Sequence, residues 1–158
     1  MKNSTHWICK KFVELTQDEL YAILRLRSEV FVVEQNCVFL DMDNKDQLSH
    51  HLMGWRQDEE NQSKNLVGYS RIVPAGFSYV ECSIGRIVTS PAARGNGIGK
   101  DLLQQGIQTL YNLHGKQVIR IGAQYYLKKF YESFGFKQAS EIYLEDGIGH
   151  IHMLLPTD

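Results

Sequence analysis

The residues with the clearest chemical potential run from Val88 to Lys100: Val-Thr-Ser-Pro-Ala-Ala-Arg-Gly-Asn-Gly-Ile-Gly-Lys. A strand-like run ends at Pro91, a glycine-rich turn follows, and helical spacing begins at Gly97. The first N–H groups of a helix have no intrahelical partner, and the helix dipole favours an anion beside them. Gly95, Gly97 and Gly99 let the backbone approach a ligand closely and take positive φ where the turn demands it. Arg94 and Lys100 add positive charge at the rim. The chemistry this predicts is binding of a phosphate or pyrophosphate. Two widespread phosphate loops do not fit. A G-x-x-x-x-G-K-[ST] loop aligned on Gly99-Lys100 finds Arg94 in place of its first glycine and Asp101 in place of its hydroxyl. A G-x-G-x-x-G fingerprint has the wrong spacing, and the turn follows antiparallel strands instead of opening a Rossmann unit.

What the pattern does fit is R-x-x-G-x-G, at Arg94, Gly97 and Gly99. It resembles the acyl-coenzyme-A pyrophosphate loop of the GNAT N-acetyltransferase superfamily. Further on, Phe130-Tyr131-Glu132-Ser133-Phe134-Gly135-Phe136 resembles a second motif of that superfamily, F-Y-E-x-x-G-F, which follows the fifth strand. The order of strands and helices is similar along nearly the whole chain. Two narrower stretches, Arg27 to Gln35 and Glu145 to Ile151, resemble the ElaA-type branch of the superfamily, an acyltransferase group without a settled substrate.

The resemblance implies an acetyl-CoA-dependent N-acetyltransferase that moves the acetyl group directly from the thioester to an amine. It implies that Ile87, Val88 and Thr89 hold the pantetheine arm, with the Val88 N–H polarising the thioester carbonyl. Arg94, Gly95, Asn96, Gly97, Ile98, Gly99 and Lys100 would hold the pyrophosphate. Gln124 stands where many family members carry Asn, and its amide offers similar hydrogen bonds. Tyr131 would protonate the leaving sulfur, a role that suits a phenol of ordinary pKa near 10. Periodicity alone makes Phe130 and Phe134 the core pair of their helix and leaves Tyr131 on its flank.

A neutral amine attacks and a cationic one does not, so a general base is needed. Glu81, before the loop, and His51, on the second strand, are the two candidates. His50 and His51 must point to opposite faces of their strand, so at most one faces a cleft. For the acceptor site, Arg27, Phe31, Glu34 and Gln35 share one face of the first helix, and His150 approaches from the last hairpin. Glu34 would suit a cationic amine and Arg27 a carboxylate. The acceptor is a small-molecule or peptide amine, and no metal is expected: Asp41, Asp43 and Asp46 lack the glycine and glutamate of a calcium loop. Two alternatives are an acyl-homoserine-lactone synthase, suggested by Arg27-x-x-Val30-Phe31, and a non-catalytic coenzyme-A-binding module.

The elements that must position these residues are legible in outline. Thr16-Gln17-Asp18-Glu19 is a capping box, and helical spacing carries the first helix to about Gln35-Asn36. Trp7 to Phe12, His50 to Trp55 and Leu66 to Val73 read as strands. So does Tyr79 to Thr89, with Gly85 as a possible bulge. A second helix runs from Gly97 to Gly115, a strand from Gln117 to Ile121, and a third helix from Tyr125 to Phe134. Ile142 to Leu144 and Ile148 to Leu155 form a hairpin across Glu145-Asp146-Gly147, with Asp-Gly as the turn signal. The fold class is α+β of three-layer α/β type. A GNAT-like mixed central sheet is flanked by helices in the order β-α-β-β-β-α-β-α-β-β, over a single domain of residues 1–158.

Composition narrows the surroundings. The 158 residues are 43% hydrophobic and 22% charged, which excludes disorder. Seventeen Lys and Arg against eighteen Asp and Glu give a net charge of −1, so no overall field favours nucleic acid. No apolar run approaches the length of a membrane span. The segment Met1 to His6 shows no signal-peptide pattern. Cys9, Cys37 and Cys82 are an odd, widely spaced set, consistent with reduced thiols in a cytoplasm. Edge strands of such a sheet suit a homodimer.

Overall fold

The computed structural model describes residues 4–158. Met1 to Asn3, part of the segment read for a signal sequence, lie outside the described residues. The strands are β1 (His6–Lys11), β2 (His50–Gln57), β3 (Lys64–Val73), β4 (Cys82–Thr89), β5 (Ile119–Gln124), β6 (Lys137–Gln138), β7 (Tyr143–Glu145) and β8 (Ile148–Leu155). They form one sheet in the order β1-β2-β3-β4-β5-β8-β6, with β7 also pairing β8. Every pair is antiparallel except β4 with β5. This is the mixed sheet that the sequence predicts, with β6 added. Two residues are too few to show a period of two.

Among the described residues three α-helices dress the sheet: α1 (Gln17–Arg27), α2 (Ile98–His114) and α3 (Lys128–Glu132). Thr16 accepts a hydrogen bond from the Glu19 N–H, and the Glu19 carboxylate accepts one from the Thr16 N–H, so the capping box is formed. After Arg27 the helix widens into π geometry over Ser28–Glu34 and ends at Asn36 with φ +48°. The total extent agrees with the spacing of apolar residues; the change of register does not show there. α1 and its extension pack Ile23, Leu26 and Val30 on Met53, Tyr69 and Val88. α2 covers the other face, where a Cβ on Gly106 would touch Ile84 and one on Gly68 would touch Leu102 and Trp7. β5 lies two to three residues later than the sequence suggests, and a 3₁₀ turn over Tyr125–Leu127 precedes α3. Asp146 and Gly147 have φ of +51° and +79°, the two left-handed positions of a type I′ hairpin turn.

One departure from regularity shapes the molecule. β4 and β5 pair only through Cys82–Ile119 and Ser83–Arg120. Beyond that, β4 stays with β3 and β5 stays with β8, so the two strands diverge into a wedge-shaped gap. β4 also bulges: Arg71 pairs Gly85 while Tyr69 pairs Val88, which leaves one extra residue on β4. The bulge falls beside Gly85, as expected, but the left-handed φ of +50° belongs to Arg86.

Candidate active site

The gap opens into a cleft of about 860 Å³. Ile87, Val88 and Thr89 form one wall, Ile121 and Gln124 of β5 the other, and Tyr131 of α3 stands between. Phe31, Glu34, Gln35, Arg94 and His150 also line it, so ten of the residues expected at the site, all of those named here but Ile121, meet in one cleft from distant segments of the chain. Gln124 donates a hydrogen bond to the Gln35 side chain at 3.2 Å, tying the end of β5 to the end of the first helix.

At one mouth lies the glycine turn. Gly95 and Gly97 have φ of +94° and +77°, and Gly97 caps α2 from the left-handed region. The first intrahelical bond is Asp101 N–H to the Gly97 carbonyl, so the N–H groups of Ile98, Gly99 and Lys100 remain free for an anion. Asn96 and Lys100 are exposed, whereas the Ile98 side chain is core, packed with Val67 and Ala93. At Gly99 a Cβ would lie 3.9 Å from Phe130, an ordinary contact, so neither space nor backbone demands a glycine there. Arg94 folds back on its own strand, donating to the Thr89 carbonyl at 3.3 Å, and pairs with Glu34 at 2.8 Å.

The assignment of the polarising N–H to Val88 needs correction. Ser90 N–H donates to the Val67 carbonyl, and bonded pairs alternate along an antiparallel ladder. Val88, paired with Tyr69, therefore also turns its N–H toward β3. The N–H group that alternation turns toward the gap is that of Thr89, between Val88 and Ser90.

The opposite end of the cleft is a buried ionic network. Arg27, fully buried, donates to the Asp41 carboxylate and carbonyl and to Asp46. Arg71 holds Asp43 and Asp46, and Arg86, at the bulge, holds Asp41 and Asp43. Burial opposes ionisation of Asp43 and Asp46. The arginine hydrogen bonds and charges outweigh it, so both carboxyls sit below the usual range. This corrects the placement of Arg27: its guanidinium is committed to the network and does not face an acceptor. Sequence reasoning weighed the three aspartates only as a metal loop. The missed signal was Arg71 and Arg86, whose place opposite that loop depends on strand pairing.

Neither proposed base faces the cleft. His51 is fully buried between the Tyr69 hydroxyl at 2.7 Å and the Asp46 carbonyl at 2.8 Å. A carbonyl only accepts, so His51 donates through Nε2 and accepts through Nδ1. Burial above all, with the charges of Arg27 and Arg71, holds its pKa below the ordinary value. It is a neutral structural histidine. His50 points to the other face, toward His114. Glu81 pairs with Arg120 at 2.9 Å, which lowers its pKa, the wrong direction for a base near neutrality. Tyr131 does line the cleft, 6% exposed, and burial raises its pKa.

Residues 29–156 match the acetyltransferase (GNAT) domain family. The chain belongs to that family. It is 41% identical to protein ElaA of Escherichia coli K12 over 142 residues, 89% of each chain. The crystal structure of Escherichia coli ElaA superposes with a TM-score of 0.85, covering 96% of this chain and 99% of that one at 37% identity. An acyl-CoA N-acyltransferase from Pseudomonas aeruginosa superposes equally well, at 39% identity over 94% of this chain and 98% of the other. A CoA-dependent acyl-homoserine lactone synthase, MesI, shares the fold alone: TM-score 0.71, 14% identity, 97% and 89% coverage. This GNAT chain is thus an acyltransferase, with the fold and the ElaA-like character that its motifs suggest. Among the described residues, no helix is long and apolar enough to cross a membrane.

Proposed function

We propose that the chain is an acetyl-CoA-dependent N-acetyltransferase that transfers the acetyl group directly to an amine. The divergence of β4 from β5 carries this reading. It leaves a slot walled by unpaired strand backbone, which can hydrogen-bond the amides of an extended pantetheine arm, with free helix N–H groups beside Arg94 at one mouth. In the proposed reaction the amine nitrogen forms a bond to the acetyl carbon, the C–S bond breaks, and the proton lost by nitrogen leaves through a base. The N–H of Thr89 polarises the carbonyl. Tyr131, kept protonated by its burial, meets the developing thiolate as a hydrogen-bond donor. The acceptor is a small-molecule or peptide amine that enters from the side of Phe31 and His150.

Thermal melting with excess acetyl-CoA, against ATP and NAD as controls, tests the donor site. At ~100 times Kd a ligand stabilises by about 2.7 kcal/mol, which raises Tm by roughly 5–11 °C at this chain length. A rise with acetyl-CoA alone supports the reading. No rise, or a larger one with ATP or NAD, overturns it.

A further inference from the structure

With Glu81 and His51 turned away from the cleft, the transfer lacks a base, and the geometry points to His150 as that base, with the Glu145 carboxylate as its partner. The inference rests on the acetyl-transfer reading above. His150 is 8% exposed, lines the cleft with Ile87, Thr89 and Tyr131, and stands on β8 directly opposite Gln124 of β5. Among the described residues it is the one histidine in the cleft wall. Its Nδ1 lies 2.7 Å from the Ile148 carbonyl oxygen, which can only accept, so Nδ1 carries the hydrogen of the neutral ring. The lone pair is then on Nε2, which faces Glu145 Oε2 at 3.4 Å.

Two acceptors facing each other leave a place for one proton. When Nε2 takes it, both ring N–H groups are satisfied, one by the Ile148 carbonyl and one by the carboxylate. Tyr143 stacks on the ring at 5.9 Å between centroids and fixes its plane. The other charges around the cleft are paired with each other, Glu34 with Arg94 and Asp43 with Arg71 and Arg86, and Asp146 lies in the adjoining turn. Lys45 also lines the cleft. The step balances simply. The attacking amine gives a proton to His150 Nε2, directly or through one water. The electrons of the C–S bond go to sulfur, and the proton passes by way of Glu145, whose side chain is 59% exposed, to solvent. His150 is the catalytic residue, and Glu145 positions it and stabilises its charged form.

The test uses the whole chain with acetyl-CoA and a panel of primary amines: an arylalkylamine, spermidine, free amino acids and a lysine peptide. Release of the CoA thiol is followed from pH 5 to 9. His150→Gln should lower kcat by ~10²–10⁴-fold and remove the acidic limb of the kcat/KM profile, with acetyl-CoA affinity unchanged. Glu145→Gln should lower kcat several-fold and keep the limb. ¹⁵N NMR of the neutral enzyme should show hydrogen on Nδ1 of His150. Amine turnover with an unimpaired His150→Gln, or hydrogen on Nε2, overturns the base and leaves the transfer reading standing. Acetyl-CoA binding without acetylation of any amine overturns the transfer reading and the base with it.

Discussion

The two ends of the cleft are built by different means. At the end proposed for the donor the available groups are backbone: the free edge of β4 and the first N–H groups of α2, shaped by glycines close together in sequence. At the end proposed for the acceptor they are side chains brought in from α1, the loop after it, β3, the β4 bulge and the β7–β8 hairpin. Backbone sites tolerate exchange of most side chains around them. A site made of buried charges does not, because each charge depends on its partners. The donor end should therefore fail locally when altered, and the acceptor end should fail together with the fold.

The sharpest break is at Asp46, which serves both Arg27 and Arg71 from a buried position. Asp46→Ala leaves two arginines short of a partner. Removing one member of a buried ionic set costs about 3–5 kcal/mol, or roughly 6–20 °C of Tm by calorimetry. An unchanged Tm would mean that the network does not hold the loop to β3. Acid offers a second route to the same break. Asp43 and Asp46 have pKa values depressed in the fold, so they contribute stability above the unfolded value near 3.9 that is lost as pH falls below it. A denaturant midpoint that is flat from pH 6 down to pH 2 would contradict this. Between the cleft walls, Tyr131→Phe should leave the fold intact and lower kcat by ~10²–10⁴-fold, with little change in acetyl-CoA affinity. Near-normal turnover would remove Tyr131 from the reaction.

The same contrast explains what the sequence makes legible. The glycine turn, the capping box at Thr16 and the Asp146-Gly147 hairpin are local: each is set by residues within a few positions of one another, so type and spacing suffice. The first helix shows its length but not its π register, because the apolar run Val30 to Val33 suits either turn. His51 and Glu81 looked like bases because they are the right types on the right strands. Which face each turns to, and that Tyr69, Asp46 and Arg120 already occupy them, depends on pairing across the sheet. Arg27 sits on the expected helix face, yet that face meets the Asp41–Asp46 loop before any substrate does. Glu145 passed as a turn residue because its relation to His150 exists only once β7 and β8 close.

Smaller effects separate the glycines of the donor end. A Cβ at Gly97 meets nothing within 4 Å, so the only penalty of Gly97→Ala is its left-handed backbone. That costs about 1–2 kcal/mol. Gly99 has no such φ and lies inside α2, with Phe130 at ordinary contact distance of 3.9 Å. Gly99→Ala should therefore be neutral or stabilising by up to about 1 kcal/mol. Chemical denaturation should show a loss of stability for Gly97→Ala and none for Gly99→Ala; an equal response of the two would mean that the turn does not hold its left-handed cap.

The finest probe is an ionic contact that joins the two ends. Glu34 comes from the acceptor-side helix, yet its carboxylate lies 2.8 Å from Arg94, and both side chains are 41% exposed. That pairing corrects the expectation that Glu34 waits for a cationic amine. It also places a negative charge beside the turn proposed to hold a pyrophosphate, where it competes for the same guanidinium. An exposed pair of this kind is worth about 0.2–1 kcal/mol, so Glu34→Gln should tighten acetyl-CoA binding by roughly 1.5–5-fold. The gain should shrink as salt rises, because salt screens exposed charges. Weaker binding of acetyl-CoA by Glu34→Gln would show the reverse relation: Glu34 holds Arg94 in place for the donor, and the acceptor-side helix is part of the donor site.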